Sequence, residues 1–379
     1  MRPRRDDFSI PAGTRYLNCA YMSPLPRAVE EAGIEGVRGK RDPSRIEAHH
    51  FFDLSNRARA LFAGLIGADA AGVAIVPGVS YAMEVVARNL DAAHPGRTYV
   101  VLGDQFPANV YPWVALAERA GGEVRTVDRP PGGEDWTGRV LDAIDAATAL
   151  VALPQAHWTD GTLIDLAAVG ARARDVGAAF VIDGTQSIGA MPFDATAIGA
   201  DAVACAGYKW LLGPYSLGFV WLGARFRGGT PLEQTWIGRA GSEDFRALVD
   251  YTGELRDDAS RFDVAERSNF TLMPMAVAAL EYLEALGVNA VKGHCAELTA
   301  RLAAGSAALG AAPPAGPHAD HIVGLRLPGA ADGAAVFDHL RDAGIHVSRR
   351  GAALRVSPHV YNGHEDVDAF LAELAEALP

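Results

Sequence analysis

The chain has 379 residues, 49% of them hydrophobic and 21% charged, with 34 Lys and Arg against 46 Asp and Glu for a formal net charge of −12. That composition suits a protein with a large buried core and room for about two domains, and its acidity excludes nucleic acid or an anionic membrane surface as the main partner. No run approaches the ~18 apolar residues of a membrane span.

The N-terminus, MRPRRDDFSIPAG, is basic but has no apolar stretch behind it, so no signal peptide is expected. Cys19, Cys205 and Cys295 are odd in number and widely spaced, which argues against a disulfide framework and for a cytoplasmic setting. From Val73 onward, short apolar runs alternate with amphipathic stretches. VAIVP (73–77), YVVLG (99–103), EVRTVD (123–128), ALVALP (149–154), AFVIDG (179–184), AVACAG (202–207) and LGFVWL (217–222) read as strands. Helical stretches at 107–120, 137–146 and 165–175 separate several of them. Nearly continuous apolar strands of this length predict an α/β fold: a mostly parallel seven-stranded sheet covered on both faces by helical crossovers. After about Asp257 the texture changes. Helical runs at 272–287 and 289–310 precede the strand IVGLRLP, a helix at 332–343, the strands HVSRRG and ALRVSP, and a last helix from His364. This predicts a smaller α+β domain of residues 257–379 with 1–14, beside a large domain of 15–256.

Ligands of a doubly wound sheet gather beyond the carboxyl ends of its strands. There the sequence offers Ser80, Phe106, His157, Asp183 with Gln186, and Tyr208 with Lys209. Lys209 is one of three lysines. Lys40 lies in a charged run and Lys292 on a helix, but Lys209 follows an apolar strand, between aromatic residues. A desolvated lysine loses its proton readily and attacks carbonyls; the plainer alternative is an amine resting at a strand end. Asp183 either caps the following turn or faces the pyridine nitrogen of pyridoxal 5'-phosphate (PLP), which needs an acid there to stay protonated. Gln186, three residues on, is placed to reach either the 3-oxygen of the same ring or the Schiff-base region. Gly78, Val79 and Ser80 form a strand-to-helix turn whose free N–H groups and helix dipole favour a phosphate, although Ser80 also reads as an ordinary N-cap. Phe106 either stacks on the ring or belongs to the core, and Tyr208 offers a phenolic donor to the phosphate.

Other chemistries have weaker footing. Gly78-Val79-Ser80-Tyr81-Ala82 is close to a serine-hydrolase elbow, with Ala82 where glycine is expected and with Asp183 and His359 following in order. No G-x-G-x-x-G follows a strand, so dinucleotide binding is not indicated. His49-His50 and His318 with His321 lack a matching ligand set, and no metal is expected.

The segments YLNCAYMSPLP, VAIVPGVSYAMEVVA, ALPQAHWTDGTLIDL, VIDGTQSIGAMPFD, GYKWLLGPYSLGF and LRVSPHVYNGHEDVDAFL resemble, in order and spacing, the class V aminotransferase family over nearly the whole chain. This is the PLP fold type I group that includes cysteine desulfurases, kynureninases and isopenicillin N epimerase-like proteins. The resemblance implies a Schiff base on Lys209, Asp183 at the pyridine nitrogen, Gln186 near the 3-oxygen, Ser80 at the phosphate and Arg355 on the substrate α-carboxylate. His157 falls where relatives often carry asparagine near the 3-oxygen. Cys19 and Ala20 lie in the N-terminal motif that reaches toward the substrate. Phe106 and Tyr208 replace the histidines usual in desulfurases, and Trp236 resembles a tryptophan that kynureninases lend across a homodimer to the neighbouring phosphate. The desulfurases' mobile cysteine is missing from IHVSRRGAALRV. The resemblance therefore implies an aminotransferase or β-lyase acting on a small L-amino acid rather than an ordinary desulfurase. Epimerisation of the isopenicillin N type and a non-catalytic scaffold relative are the alternatives.

Overall fold

The computed structural model describes residues 1–90, 97–130, 135–351 and 353–379. After the two-residue strand β1 (Arg15–Tyr16), the seven apolar runs become β2 (Val73–Val76), β3 (Thr98–Leu102), β4 (Glu123–Val127), β5 (Thr148–Pro154), β6 (Ala179–Asp183), β7 (Ala202–Ala206) and β8 (Gly218–Leu222). They form one sheet in the order β2-β8-β7-β6-β5-β3-β4. β3 to β7 run parallel to one another, and β8 lies antiparallel to both β2 and β7. The fold is thus the mostly parallel seven-stranded sheet that the apolar runs predict.

Burial explains the sequence texture. Every residue of β5, β6 and β7 is buried, whereas edge strand β4 keeps exposed positions and hence its charged, alternating EVRTV. Successive residues of β2 divide between two cores. Val73 and Ile75 join Phe62 and Trp210 on one face, and Ala74 and Val76 join Met83 and Trp113 on the other. The crossover helices start and stop where local chemistry dictates. Leu166–Asp175 begins at Asp165, whose carboxylate accepts the N–H groups of Ala167 and Ala168.

The C-terminal lobe holds an antiparallel sheet of β9 (Val323–Arg326), β11 (Ser348–Arg350) and β12 (Ala353–Val356), ordered β11-β12-β9. Leu325, Leu354 and Phe370 pack between this sheet and the helices Val288–Ala308, Gly333–Asp342 and His364–Ala377. β1 pairs in parallel with β10 (Ile345–His346). The N-terminal segment therefore ties this lobe to the main sheet, and Asn18 and Ala20 then meet Ser357.

One buried charge cluster holds the edge of the main sheet. Asp263 accepts the Ile75 N–H through Oδ1 at 2.8 Å, and its Oδ2 is shared by Arg59 and Arg267. All three side chains are almost wholly buried, and the next residue, Val264, donates its N–H to the Ile75 carbonyl. Removing the anion would strand two guanidinium groups out of water. Asp263→Ala is expected to destabilise the fold by about 3–5 kcal/mol, measured by urea unfolding; a loss below about 1 kcal/mol would contradict the role given to this cluster.

Candidate active site

A cavity of about 500 Å³ opens beyond the carboxyl ends of β5, β6 and β7, against the start of the helix Val79–Asn89. Its volume falls in the usual range for a small cofactor with substrate, ~300–1,000 Å³. At one end, Gly78 begins the helix with no side-chain cap. The first intrahelical bond is Ala82 N–H to the Gly78 carbonyl, so the N–H groups of Val79, Ser80 and Tyr81 have no helical acceptor and are available to an anion. Ser80 is exposed, with Gly78 beside it on the wall.

Asp183 ends β6, buried, with Oδ1 accepting the Thr185 N–H at 3.1 Å. Burial raises its pKa, opposed by the Thr185 hydrogen bonds and the Lys209 charge. Gln186 follows on the same turn. Its Nε2 donates to the Ala20 carbonyl at 3.0 Å, and its Oε1 accepts the Trp210 indole N–H at 2.8 Å. Fixed at both ends, the amide still has one N–H to offer.

Lys209 hangs from the turn joining β7 to β8. Gly207 N–H bonds to Leu217 O, and Gly213 N–H to Gly207 O. A Cβ on Gly207 would stand 2.5 Å from the Leu217 oxygen, so only glycine closes this turn. The Lys209 side chain is 6% exposed. Its Nζ lies 5.1 Å from the centroid of the Phe106 ring and 5.6 Å from that of Tyr208. Burial brings the amine pKa down to about 8; Asp183 pulls it up, and Arg355 and Arg350 push it down further.

Arg355, on β12, is 1% exposed. It donates to the Trp158 carbonyl at 2.7 Å and the Ser348 hydroxyl at 3.4 Å, while its Nε has no partner among the described residues. Burial lowers its pKa to about 9, and Arg350 adds to the shift.

A nucleophilic lysine, a buried acid, a helix N-terminus and aromatic walls around one cavity are the donor set that PLP requires. Residues 38–370 match the aminotransferase class-V family. The chain belongs to that family. Its members are PLP-dependent aminotransferases and lyases, and this chain is a PLP-dependent enzyme of the same kind. A probable cysteine desulfurase from Methanothermobacter thermautotrophicus is 31% identical over 79% of this chain and 74% of its own length. An isopenicillin N epimerase from Streptomyces clavuligerus is 26% identical over 96% of this chain and 94% of its own. Among solved structures, the cystine C–S lyase C-DES with cysteine persulfide superposes with a TM-score of 0.87 at 21% identity, covering 97% of this chain and 99% of that one. C-DES with glycine covalently linked to its PLP cofactor gives a TM-score of 0.89 at 20% identity, over 99% and 100% of the two chains.

Of the class V positions singled out from the sequence, the cavity wall brings together Gly78, Val79, Ser80, Phe106, Asp183, Gln186, Tyr208 and Lys209. Arg355 lies close enough for its charge to act on Lys209. Ala20 reaches the site through its carbonyl on Gln186. Cys19 is fully buried with its S–H 4.0 Å from the Lys209 carbonyl, and burial pushes the thiol pKa well up, so it stays protonated. His157 is off the wall: fully buried, it contacts Thr159 Oγ1 at 2.7 Å and the Gly103 carbonyl at 3.3 Å. Burial lowers its pKa to about 4 and keeps it neutral. Trp236 lies outside the cavity, 36% exposed, with Phe51, Phe52 and Phe245 around it. The His359 ring makes no hydrogen bond among the described residues and packs on Trp210 and Tyr361, so Ser80, Asp183 and His359 do not assemble as a hydrolase triad.

Sequence reasoning passes over Trp158, Gln105 and Tyr215, which also line the cavity. Trp158 is fixed by its indole N–H on the Asp104 carbonyl at 2.6 Å and packs edge-on against Phe106. The adjacent His157 draws attention as the more reactive residue type; the signal for Trp158 is an aromatic residue one position past it in the same strand-end loop.

In protein free of cofactor, the unprotonated fraction of Lys209 grows as pH rises through about 8. The rate at which added PLP forms its visible chromophore on the apo-protein is therefore expected to rise with a midpoint near that pH. A midpoint near the ordinary lysine value of roughly 10.4 would contradict the desolvated setting.

Proposed function

We propose that PLP is held in this cavity on Lys209 and that the enzyme is a β-lyase of a small L-amino acid. The observation that carries this reading is the buried Lys209 amine, with a pKa near 8 and Asp183 opposite it. Bound PLP would supply an electron-withdrawing ring that stabilises negative charge on the substrate Cα. Asp183 would keep the ring nitrogen protonated, and the spare Gln186 N–H would serve the 3-oxygen. The helix N-terminus at Gly78, Val79 and Ser80 takes the phosphate, with Tyr208 as a further donor, and Phe106 and Trp158 wall the ring. Arg355 has an Nε without a partner among the described residues and a planar fork suited to the α-carboxylate. Lys209 would take the Cα proton onto Nζ as general base. In the net reaction the Cα–H and Cβ–X bonds break, X leaves with its electron pair and takes up a proton, and water completes the conversion to a keto acid and ammonia. Cys19, buried and protonated, does not carry persulfide, which sets this reading apart from a desulfurase relay. His157 acts as a positioning residue, fixing the loop under Trp158.

A homodimer completes the reading. Val249 is 76% exposed and Tyr251 98%, in a segment that also exposes Phe245 beside Trp236. Apolar side chains clustered this way call for a covering surface, and a second copy would bring Trp236 toward its neighbour's phosphate. Among the described residues no helix is long and apolar enough to cross a membrane. Three free, buried cysteines suit a reducing cytoplasm.

The test is the fate of L-amino acids mixed with PLP-loaded enzyme. Ammonia and keto acid in equal amounts, over many turnovers, are expected. Conversion of the cofactor to its amine form without ammonia would replace the lyase reading by amino transfer, and a D-product by epimerisation. Lys209→Ala is expected to abolish borohydride trapping of PLP on the protein and to slow turnover by roughly 10²–10⁴-fold.

A further inference from the structure

The β11–β12 hairpin carries two arginines, Arg350 and Arg355, against Trp158 of the cavity wall, and neither has a carboxylate partner among the described residues. Arg350 pairs with Ala353 and Ser348 with Arg355. Residues opposite one another, and those two apart on a strand, share a face, so Arg350, Ser348 and Arg355 all project the same way. Diagonal neighbours of this kind have roots roughly 7–8 Å apart. The Arg350 guanidinium carbon lies 5.2 Å from the centroid of Trp158, the ring that lines the cavity. Among the described residues it donates only to the carbonyl of Arg349, and its Nε is buried without a partner. Among the described residues Arg350 forms no ion pair with an acid, and its charge is felt by Arg355. Arg129, by contrast, meets Asp160 at 3.0 Å.

Among the described residues, Asp183 is the one carboxylate whose charge acts on Lys209. Both arginine charges reach the Lys209 amine. Placing a second cation beside the first costs free energy that only an added anion recovers. On the reading above, Arg355 takes the α-carboxylate, which leaves Arg350 unanswered. We propose that the substrate is an L-amino acid whose side chain ends in a second anion, a carboxylate or sulfonate, and that Arg350 is the residue that selects it. The inference rests on the PLP-enzyme reading and adds the substrate's charge to it.

Matched acids and amides test it. Dissociation constants are measured on PLP-loaded protein, by calorimetry and by the visible spectrum, for S-carboxymethyl-L-cysteine against S-carbamoylmethyl-L-cysteine and for L-glutamate against L-glutamine. At least one acid is expected to bind about tenfold or more tightly than its amide, the scale of one charge-assisted contact. Arg350→Gln is expected to abolish that preference while changing amide affinity less than about twofold. Arg355→Gln is expected to weaken both members of the pair. Equal binding of acid and amide by the wild type overturns the proposal. So does an acid preference that survives Arg350→Gln, or an equal weakening of acid and amide in that variant, which would mark Arg350 as packing for Trp158 alone. A protein that forms no chromophore with PLP would overturn the underlying reading as well, which separates the two failures.

Discussion

Keeping a lysine amine out of water while leaving it usable is the constraint around which this molecule is arranged. In water the ammonium would be far too stable to act as nucleophile or base near neutral pH. Burial of Lys209 removes that hydration, and the neighbouring arginines reinforce the effect. Asp183 supplies the opposing pull and prevents the site from becoming an uncompensated cationic pocket. The two groups come from different strand ends, so their separation is set by the backbone of the sheet rather than by flexible side chains.

The reversal of β8 is what makes this arrangement possible. Had β7 led into another crossover helix, the residue after the strand would sit at a helix N-terminus, as Ser80 does. Instead the chain turns back at once, and Gly207 and Gly213 close the turn with backbone hydrogen bonds. The N-terminal segment then packs over it: Ser23 N–H donates to the Tyr208 carbonyl, and Ala20 engages Gln186. Lys209 is therefore enclosed by two stretches nearly two hundred residues apart in sequence.

Much of this is legible in the amino-acid sequence. The seven strands are visible because both faces of the sheet are covered, which turns each strand into a plain apolar run. Lys209 stands out through scarcity and setting, and Asp183 and Ser80 through their places at strand ends. Strand direction is less accessible: LGFVWL has the same texture as its parallel neighbours, and nothing in so short an apolar run encodes that it points backwards. Trp158 and Arg350 escape notice for a related reason. Their significance lies in what faces them across the fold, one on a strand-end loop and the other on a hairpin almost two hundred residues later. His157 shows the converse error of weighting, since its chemical versatility attracts notice while its side chain turns inward to satisfy a loop.

The β11–β12 hairpin also bears on how such a protein diversifies. The groups that would face the cofactor belong to the large sheet and its turns, whereas the arginines that would meet the substrate sit together on a short strand pair in the other lobe. Arg350 is half-buried and contributes to no hydrophobic core. A change there alters which molecules are admitted without disturbing the buried strands or the lysine turn. The hairpin thus bears both on the choice of substrate and on the field that holds the Lys209 amine below its ordinary pKa, so a change of charge at Arg350 moves the two together.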